Sequence, residues 1–396
     1  MKKFVILLVF FVSINTLFIT VTHAESNNAP PELISEAVIM IDSQTGTVLF
    51  EKNIDRKMYP ASLTKIATAI YAIETGNLDD VVKVSENARN IEGTRVYLEE
   101  GEQVTLRKLL QGLLINSGND AGVAIAEHLS GSIEDFSSDI NKYLKDVVGV
   151  QNTHFENPHG LYDPEHFTTA EDLAKITQYA IKNETFRGIF GTKELKWNGK
   201  SWDTTLYKHH KLMREIPYEG ITGGKTGFVN QSGFTLATTA KRDNLSLIVI
   251  TLNSYNQSAA YTDTISLLDY GFNNFETSRI REGTIFTVSN QKYRTTSDII
   301  YTHALNEQLR KKVNDGGMLE IITQDGSVLS SYPLNKIEKA RTPGKEQKTN
   351  EISTASRDTN SIFVIGGHFL EFVFAMILCL VIVGGSTYHI REIVRK

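Results

Sequence analysis

Pro60-Ala61-Ser62-Leu63-Thr64-Lys65 opens a stretch whose apolar residues recur through Ile66, Ala69, Ile70 and Ile73 to Gly76. That spacing predicts a helix from about Ala61 to Ile73, with Pro60 suiting its first turn and Gly76 its C-terminal cap. Ser62 and Lys65 are three apart and share one helix face. At a helix start the Ser62 N–H has no intrahelical partner and can point at a developing oxyanion. The positive end of the helix dipole favours the same charge. A lysine that is buried, or near another cation, has a depressed pKa and can act as base toward a serine. Taken alone, the pattern fits an ordinary helix start equally well. A second copy, Ser289-Asn290-Gln291-Lys292, has strand pattern around it and no helix after it, and is read as chance.

Two further triplets carry usable chemistry. Ser117-Gly118-Asn119 ends one helical stretch, Leu106 to Ile115, and begins another, Ala121 to Leu129. Ser117 can pass a proton between Lys65 and a leaving amine, and Asn119 can hold a substrate amide by donor and acceptor. The plain alternative is a helix cap. Lys225-Thr226-Gly227 occurs once, after the glycine-rich turn Thr222-Gly223-Gly224 and before strand pattern. A strand beside a cleft can pair with an extended peptide, and Gly227 lets that backbone come close. Thr226 and Lys225 can bind a carboxylate through a hydroxyl and a charge. The plain alternative here is a hairpin turn with an exposed lysine.

Around these motifs the chain alternates strand and helix pattern. Ala37 to Asp42 and Thr47 to Glu51 flank Gln44-Thr45-Gly46 and read as a hairpin. Glu134 to Val147 is helical, and Thr168-Thr169-Ala170-Glu171 is a capping box opening a helix through Ile181. Gly233 to Ala240 and Leu245 to Leu252 are strands around the turn Lys241 to Asn244, and a helix from about Ala259 to Tyr270 follows. Strands at both ends with helices between them predict an α/β domain whose antiparallel sheet joins the two ends. Short strands with turns such as Gln324-Asp325-Gly326 then predict a small all-β domain.

Order and context give the three motifs their weight. The chain resembles the low-molecular-mass penicillin-binding proteins, the serine D-alanyl-D-alanine carboxypeptidases of peptidase family S11, over roughly Ala37 to Leu334. The shared residues include Pro60 to Lys65, Ser117-Gly118-Asn119-Asp120-Ala121, Asn157-Pro158-His159-Gly160-Leu161, Gly223 to Gly227 and Leu267-Leu268-Asp269-Tyr270-Gly271-Phe272. The resemblance implies a β-lactamase/transpeptidase-like fold, an antiparallel sheet with flanking helices. It implies that Ser62 is acylated, Lys65 is its base and Ser117 shuttles protons. It implies that Lys225, Thr226 and Gly227 bind the terminal carboxylate, with the second oxyanion N–H from Phe228 and Asn119 contacting substrate. Peptidoglycan stem peptides and β-lactam antibiotics are the implied partners, with no cofactor. Two departures stand out. Some relatives carry His where this chain has Phe228. Relatives often place an Arg just before the closing helix, whereas Asn256 to Ala260 holds no basic residue, which leaves carboxypeptidase against endopeptidase preference open.

The ends supply an address. Lys2 and Lys3, an apolar run from Phe4 to Val21 and Thr22-His23-Ala24 predict a signal peptide over 1–24. The remainder divides into a catalytic domain over 25–276, a β domain over 277–339, a linker over 340–361, a transmembrane anchor over 362–388 and a cytoplasmic tail over 389–396. Phe372 to Gly385 is uncharged, and Arg391, Arg395 and Lys396 follow it, which predicts a C-terminus inside and a catalytic domain outside. The sole cysteine, Cys379, falls in the anchor, so no intramolecular disulfide can form. A net charge of −5 argues against nucleic acid. His154, Glu156, His159, Asp163, Glu165 and His166 cluster, yet they lack the H-E-x-x-H spacing of a helical zinc site, so no metal is expected. His209 and His210 read as surface residues. A β-lactamase and a catalytically silent wall-binding scaffold are the competing functions. No candidate for a dedicated deacylating glutamate is visible for the first, and the intact motif set opposes the second.

Overall fold

The computed structural model describes residues 29–338. The expected signal peptide, linker, anchor and tail lie outside the described residues. Among the described residues no helix is long and apolar enough to cross a membrane.

The first half runs β1 (Ala37–Asp42), β2 (Val48–Lys52), α1 (Thr64–Thr75), β3 (Val81–Lys83), α2 (Glu86–Asn90), β4 (Gln103–Thr105), α3 (Leu106–Ile115), α4 (Asn119–Ser130) and α5 (Ile133–Tyr143). It continues with α6 (Ala170–Ala180), α7 (Glu184–Phe190), β5 (Glu194–Asn198), β6 (Asp203–Tyr207), α8 (Lys211–Arg214), β7 (Ile221–Val229), β8 (Gly233–Arg242), β9 (Leu245–Ser254) and α9 (Gln257–Asn274). Five strands form one antiparallel sheet in the order β2-β1-β9-β8-β7. The two ends of the α/β part meet where β1 pairs with β9, Ile39 opposite Ile250.

β1 is apolar at every residue but the last because it is covered on both faces. Ala37, Ile39 and Ile41 point into the helical cluster together with Ile248, Ile250 and Leu252. Val38 and Met40 point the other way and pack with Leu247, Val249, Leu267 and Leu268 of β9 and α9. The two-residue period of a strand sorts one run of side chains onto two layers. Burying a side chain of this size contributes about 1.5–3 kcal/mol, so this double layer fixes the register of the sheet.

After α9 the regular elements among the described residues are all strands: β10 (Phe275–Ile280), β11 (Ile285–Val288), β12 (Gln291–Arg294), β13 (Ile299–Ala304), β14 (Arg310–Val313), β15 (Met318–Ile322), β16 (Val328–Pro333) and β17 (Asn335–Ile337). It has a small core of its own, including Ile280, Tyr301, Leu319 and Ile321. Its tie to β1 is polar. The buried Asp42 carboxylate accepts hydrogen bonds from the Thr277 and Thr302 hydroxyls, each at 2.6 Å.

Local readings differ from the structure in four places. The cap of α6 is Thr169, whose side chain accepts from the Asp172 N–H, one residue later than the capping box read from Thr168. Thr222-Gly223-Gly224 is no turn but part of β7. Gly223 and Gly224 lack side chains there because Phe190 and His210 fill the space a Cβ would take. Asn119 is already the first residue of α4. His210 is buried at 1% exposure rather than on the surface.

Candidate active site

Ser62 sits in the 3-10 turn Ala61–Leu63 that leads into α1. Ala61 before it has φ +47°, and Ser117 has φ +64°, a left-handed backbone that costs non-glycine residues on the order of 1–3 kcal/mol. Ser117 lines the cleft, and Ala61 directly precedes Ser62, which lines it too. Surroundings over-determine the first: a Cβ on Gly160 would lie 1.8 Å from the Ala61 carbonyl oxygen, so only glycine lets the Asn157–Leu161 loop close on that turn. Thr64 holds it from the inside, donating to Ala61 O at 2.8 Å. The His166 ring braces Thr64, because its Nδ1 accepts from the Glu156 N–H and its Nε2 is left to donate to Thr64 Oγ1 at 2.8 Å.

Lys65 is fully buried one turn along. Its Nζ lies 2.8 Å from Ser62 Oγ, 2.8 Å from Asn119 Oδ1 and 2.8 Å from the His159 carbonyl oxygen. Asn119 cannot flip, since its Nδ2 donates to Glu92 O at 2.6 Å. Two of the three Lys65 neighbours can therefore only accept. A neutral amine spends its two N–H groups on them and turns its lone pair to the third, the Ser62 hydroxyl. Burial first and the Lys225 charge second hold Lys65 well below the usual lysine range, with Asp120 opposing in part.

Lys225 reaches in from the sheet. β7 is the last strand of the sheet, so among the described residues no other strand pairs with its outer edge, and Thr226, Gly227 and Phe228 of β7 line the cleft. Lys225 Nζ donates to Ser117 Oγ at 2.8 Å and to the Thr226 carbonyl at 2.7 Å. Burial pushes it down to about 7. Gly227 lies so near the nucleophile turn that a Cβ there would be 2.8 Å from the Ser62 nitrogen. Phe228 is exposed and packs on Phe234 across the β7–β8 pair, ring centres 4.5 Å apart.

The cleft holds about 270 Å³ and is lined by Ser62, Ser117, Thr226, Gly227 and Phe228 among others. The structure thus brings the residues singled out in all three motifs to one place. Ser289 lies elsewhere, in the turn between β11 and β12. Sequence reading missed Thr94, His209, Gln257 and Tyr261, which also line the cleft. Gln257 stands in Asn256 to Ala260, the segment that holds no basic residue. Among the described residues no carboxylate lines the cleft. The His154–His166 cluster is spent on structure: His159 and His166 are buried, and His154 pairs with Glu156 at 2.7 Å.

The buried Asp120 carboxylate positions the motif beside it. It accepts from the N–H groups of Val96, Leu98 and Ala121, which ties the Thr94–Leu98 segment to the start of α4.

The fold is that of the penicillin-binding proteins. Penicillin-binding protein 5 from Haemophilus influenzae superposes with a TM-score of 0.69 at 27% identity, covering 78% of this chain and 98% of that one. Penicillin-binding protein 6B from Escherichia coli gives 0.67 at 27% identity, covering 77% and 96%. A family model described as D-alanyl-D-alanine carboxypeptidase matches residues 23–256. The D-alanyl-D-alanine carboxypeptidase DacF of Bacillus subtilis is 31% identical over 338 residues, 76% of this chain and 85% of that protein. DacA of Haemophilus influenzae is 31% identical over 293 residues, 69% and 70% respectively. The chain belongs to the D-alanyl-D-alanine carboxypeptidase family of serine peptidases.

Proposed function

We propose that Ser62 is the acylated nucleophile of this carboxypeptidase and that Lys65 is its base. The observation that carries the reading is the Lys65 amine 2.8 Å from Ser62 Oγ with two fixed carbonyl oxygens as its other partners. Neutral Lys65 takes the Ser62 proton as Oγ attacks the carbonyl carbon between the two terminal D-alanines of a peptidoglycan stem peptide. The N–H groups of Ser62 and Phe228 receive the oxyanion. Collapse breaks the C–N bond, and the departing amine takes a proton delivered through Ser117. An ester on Ser62 remains. Water, deprotonated by Lys65, then releases the shortened peptide.

Lys225 and Thr226 hold the substrate carboxylate while the peptide backbone lies along the free edge of β7, with Asn119 contacting an amide. β-Lactams acylate Ser62 by the same route. The absence of a carboxylate from the cleft lining supports a long-lived adduct, because no acid side chain is placed there to activate water. The segment 362–388 anchors the chain in the membrane with the catalytic part outside, 277–339 being a separate β domain and 340–361 the linker.

Labelled penicillin followed over time on the purified chain tests the assignment. A persistent adduct on Ser62, absent from Ser62→Ala, is expected. Rapid turnover indicates a β-lactamase, no adduct a scaffold, and labelling at Ser289 sinks the choice of nucleophile.

A further inference from the structure

Lys208 belongs to none of the three motifs, yet it is 2% exposed. It directly follows β6, and its backbone N–H donates to Lys193 O at 2.8 Å, so the β5–β6 hairpin fixes where it starts. Its side chain passes Phe190, Nζ 4.9 Å from the ring centre, and donates to the Leu114 carbonyl at 2.9 Å. Leu114 is in the last turn of α3, where a carbonyl has no intrahelical donor of its own. Two residues further on, His210 Nε2 meets Thr238 Oγ1 of β8 at 2.8 Å, and its ring fills the space above Gly224 of β7. The Lys208–His210 segment therefore spans from the end of α3 to the sheet.

Leu114 is three residues before Ser117. The short run from Leu114 to Ser117 is held at both ends by a lysine amine, Lys208 at the Leu114 carbonyl and Lys225 at the Ser117 hydroxyl. Between them Asn116 Nδ2 donates to Arg95 O at 2.9 Å, and Ser117 takes its left-handed backbone. That conformation is costly and persists only where the surroundings impose it. Lys208 has no carboxylate partner among the described residues, and burial together with the Lys225 charge disfavours its protonated form. A methionine would fill the same volume without burying an amine. The hydrogen bond to Leu114 is what lysine adds here.

We infer that Lys208 is a positioning residue for Ser117: by holding the Leu114 carbonyl it fixes the strained turn that aims the Ser117 hydroxyl into the cleft. The inference rests on Ser117 delivering the proton to the departing amine. Removal of Lys208 then slows reactions whose leaving group needs a proton and spares those whose leaving group does not.

The test compares two substrates of the full chain, a D-alanyl-D-alanine peptide and a thioester analogue whose thiolate departs unprotonated. Acylation of wild type, Lys208→Met, Ser117→Ala and the double variant is measured by rapid quench. Lys208→Met is expected to slow the peptide about 10- to 100-fold and the thioester less than about threefold, within the range of general acid catalysis. Ser117→Ala gives the same split, and the double variant is no slower than Ser117→Ala, since both act through one group. Equal slowing on both substrates, no slowing, or additive losses overturns the inference. If Ser117→Ala splits the substrates and Lys208→Met does not, only the inference fails. If Ser117→Ala shows no split, the proton-donor reading fails and the inference with it. Should Lys208→Met not fold, Lys208→Leu, which likewise removes the donor, is judged by the same split.

Discussion

Asn119 presents its oxygen, not its nitrogen, to Lys65: Oδ1 lies 2.8 Å from Nζ while Nδ2 is committed to the Glu92 carbonyl. A neutral carbonyl there orients the amine without adding a charge that would keep it protonated. Asn119→Asp replaces it with a carboxylate of nearly the same shape. An adjacent negative charge favours the ammonium, so the Lys65 pKa rises and less base is present at neutral pH. Acylation by penicillin at pH 7 is expected to fall at least about tenfold, with partial recovery at pH 9 to 10. Equal loss at all pH values would show that Asn119 matters for substrate contact alone.

The pH profile of acylation follows from the two cleft lysines. Activity rises with pH as Lys65, already held low, loses its proton. It falls as Lys225, pushed down to about 7 by burial, loses the charge that attracts a carboxylate. The free enzyme should show a bell in kcat/KM whose limbs belong to the coupled pair. A bound carboxylate favours the Lys225 ammonium, so the alkaline limb of kcat lies at higher pH than that of kcat/KM. Lys65→Arg should be nearly inactive throughout, because arginine stays protonated. Near-normal acylation by Lys65→Arg would remove Lys65 from the base role.

Gly160→Ala should damage the site from outside it. The new methyl would fall 1.8 Å from the Ala61 carbonyl oxygen, and Gly160 itself has φ +84°. Loop and nucleophile turn must separate, which is expected to cost about 2–4 kcal/mol of stability and on the order of 100-fold in acylation. Denaturant midpoints and penicillin labelling rates check both. A normal labelling rate would mean that the loop does not set the geometry of Ser62.

Stability itself should rise with pH in a window well above the one in which paired carboxylates titrate. Lys65, Lys208 and Lys225 are all pushed down by burial, whereas in the unfolded chain each titrates near 10.4. Between pH 7 and 9 the unfolded state binds more protons, so stability rises with pH, by about 1.4 kcal/mol per unit for each lysine that is neutral when folded. Above about pH 10 the trend reverses, because Tyr218 and Tyr261 are pushed up by burial and resist ionising in the fold. Urea midpoints at pH 7, 8 and 9 measure the slope, and Lys208→Met should lower it. A flat profile would mean that the lysines are charged in the folded protein.

The parts that were legible in the sequence are those with a local signature. Lys65 and Ser62 share a helix face, and Ala37 to Asp42 shows itself as one strand of a hairpin. The parts that were not depend on distant packing. Lys208 and Leu114 are 94 residues apart, and nothing about either residue's neighbours points to the other. Gly223 and Gly224 suggested a turn because glycine is the usual turn residue. Here the glycines make room for Phe190 and His210, which only tertiary structure reveals. His210 looked superficial because histidine usually is; burial beside Thr238 decides otherwise.

The open edge of β7 has a consequence for handedness. A strand recognises its partner through N–H and C=O groups, which D- and L-residues carry alike. Mirror inversion at one α-carbon leaves those groups in place and sends the methyl to the opposite side of the peptide. The edge itself is therefore blind to chirality. Selection of D-alanine over L-alanine falls to whatever the methyl meets on either side, the Ser62 turn and Ser117 on one hand and the residues lining the cleft beyond Thr226 on the other. Altered stereochemical preference should accordingly arise from substitutions in those walls and not from changes along the strand backbone.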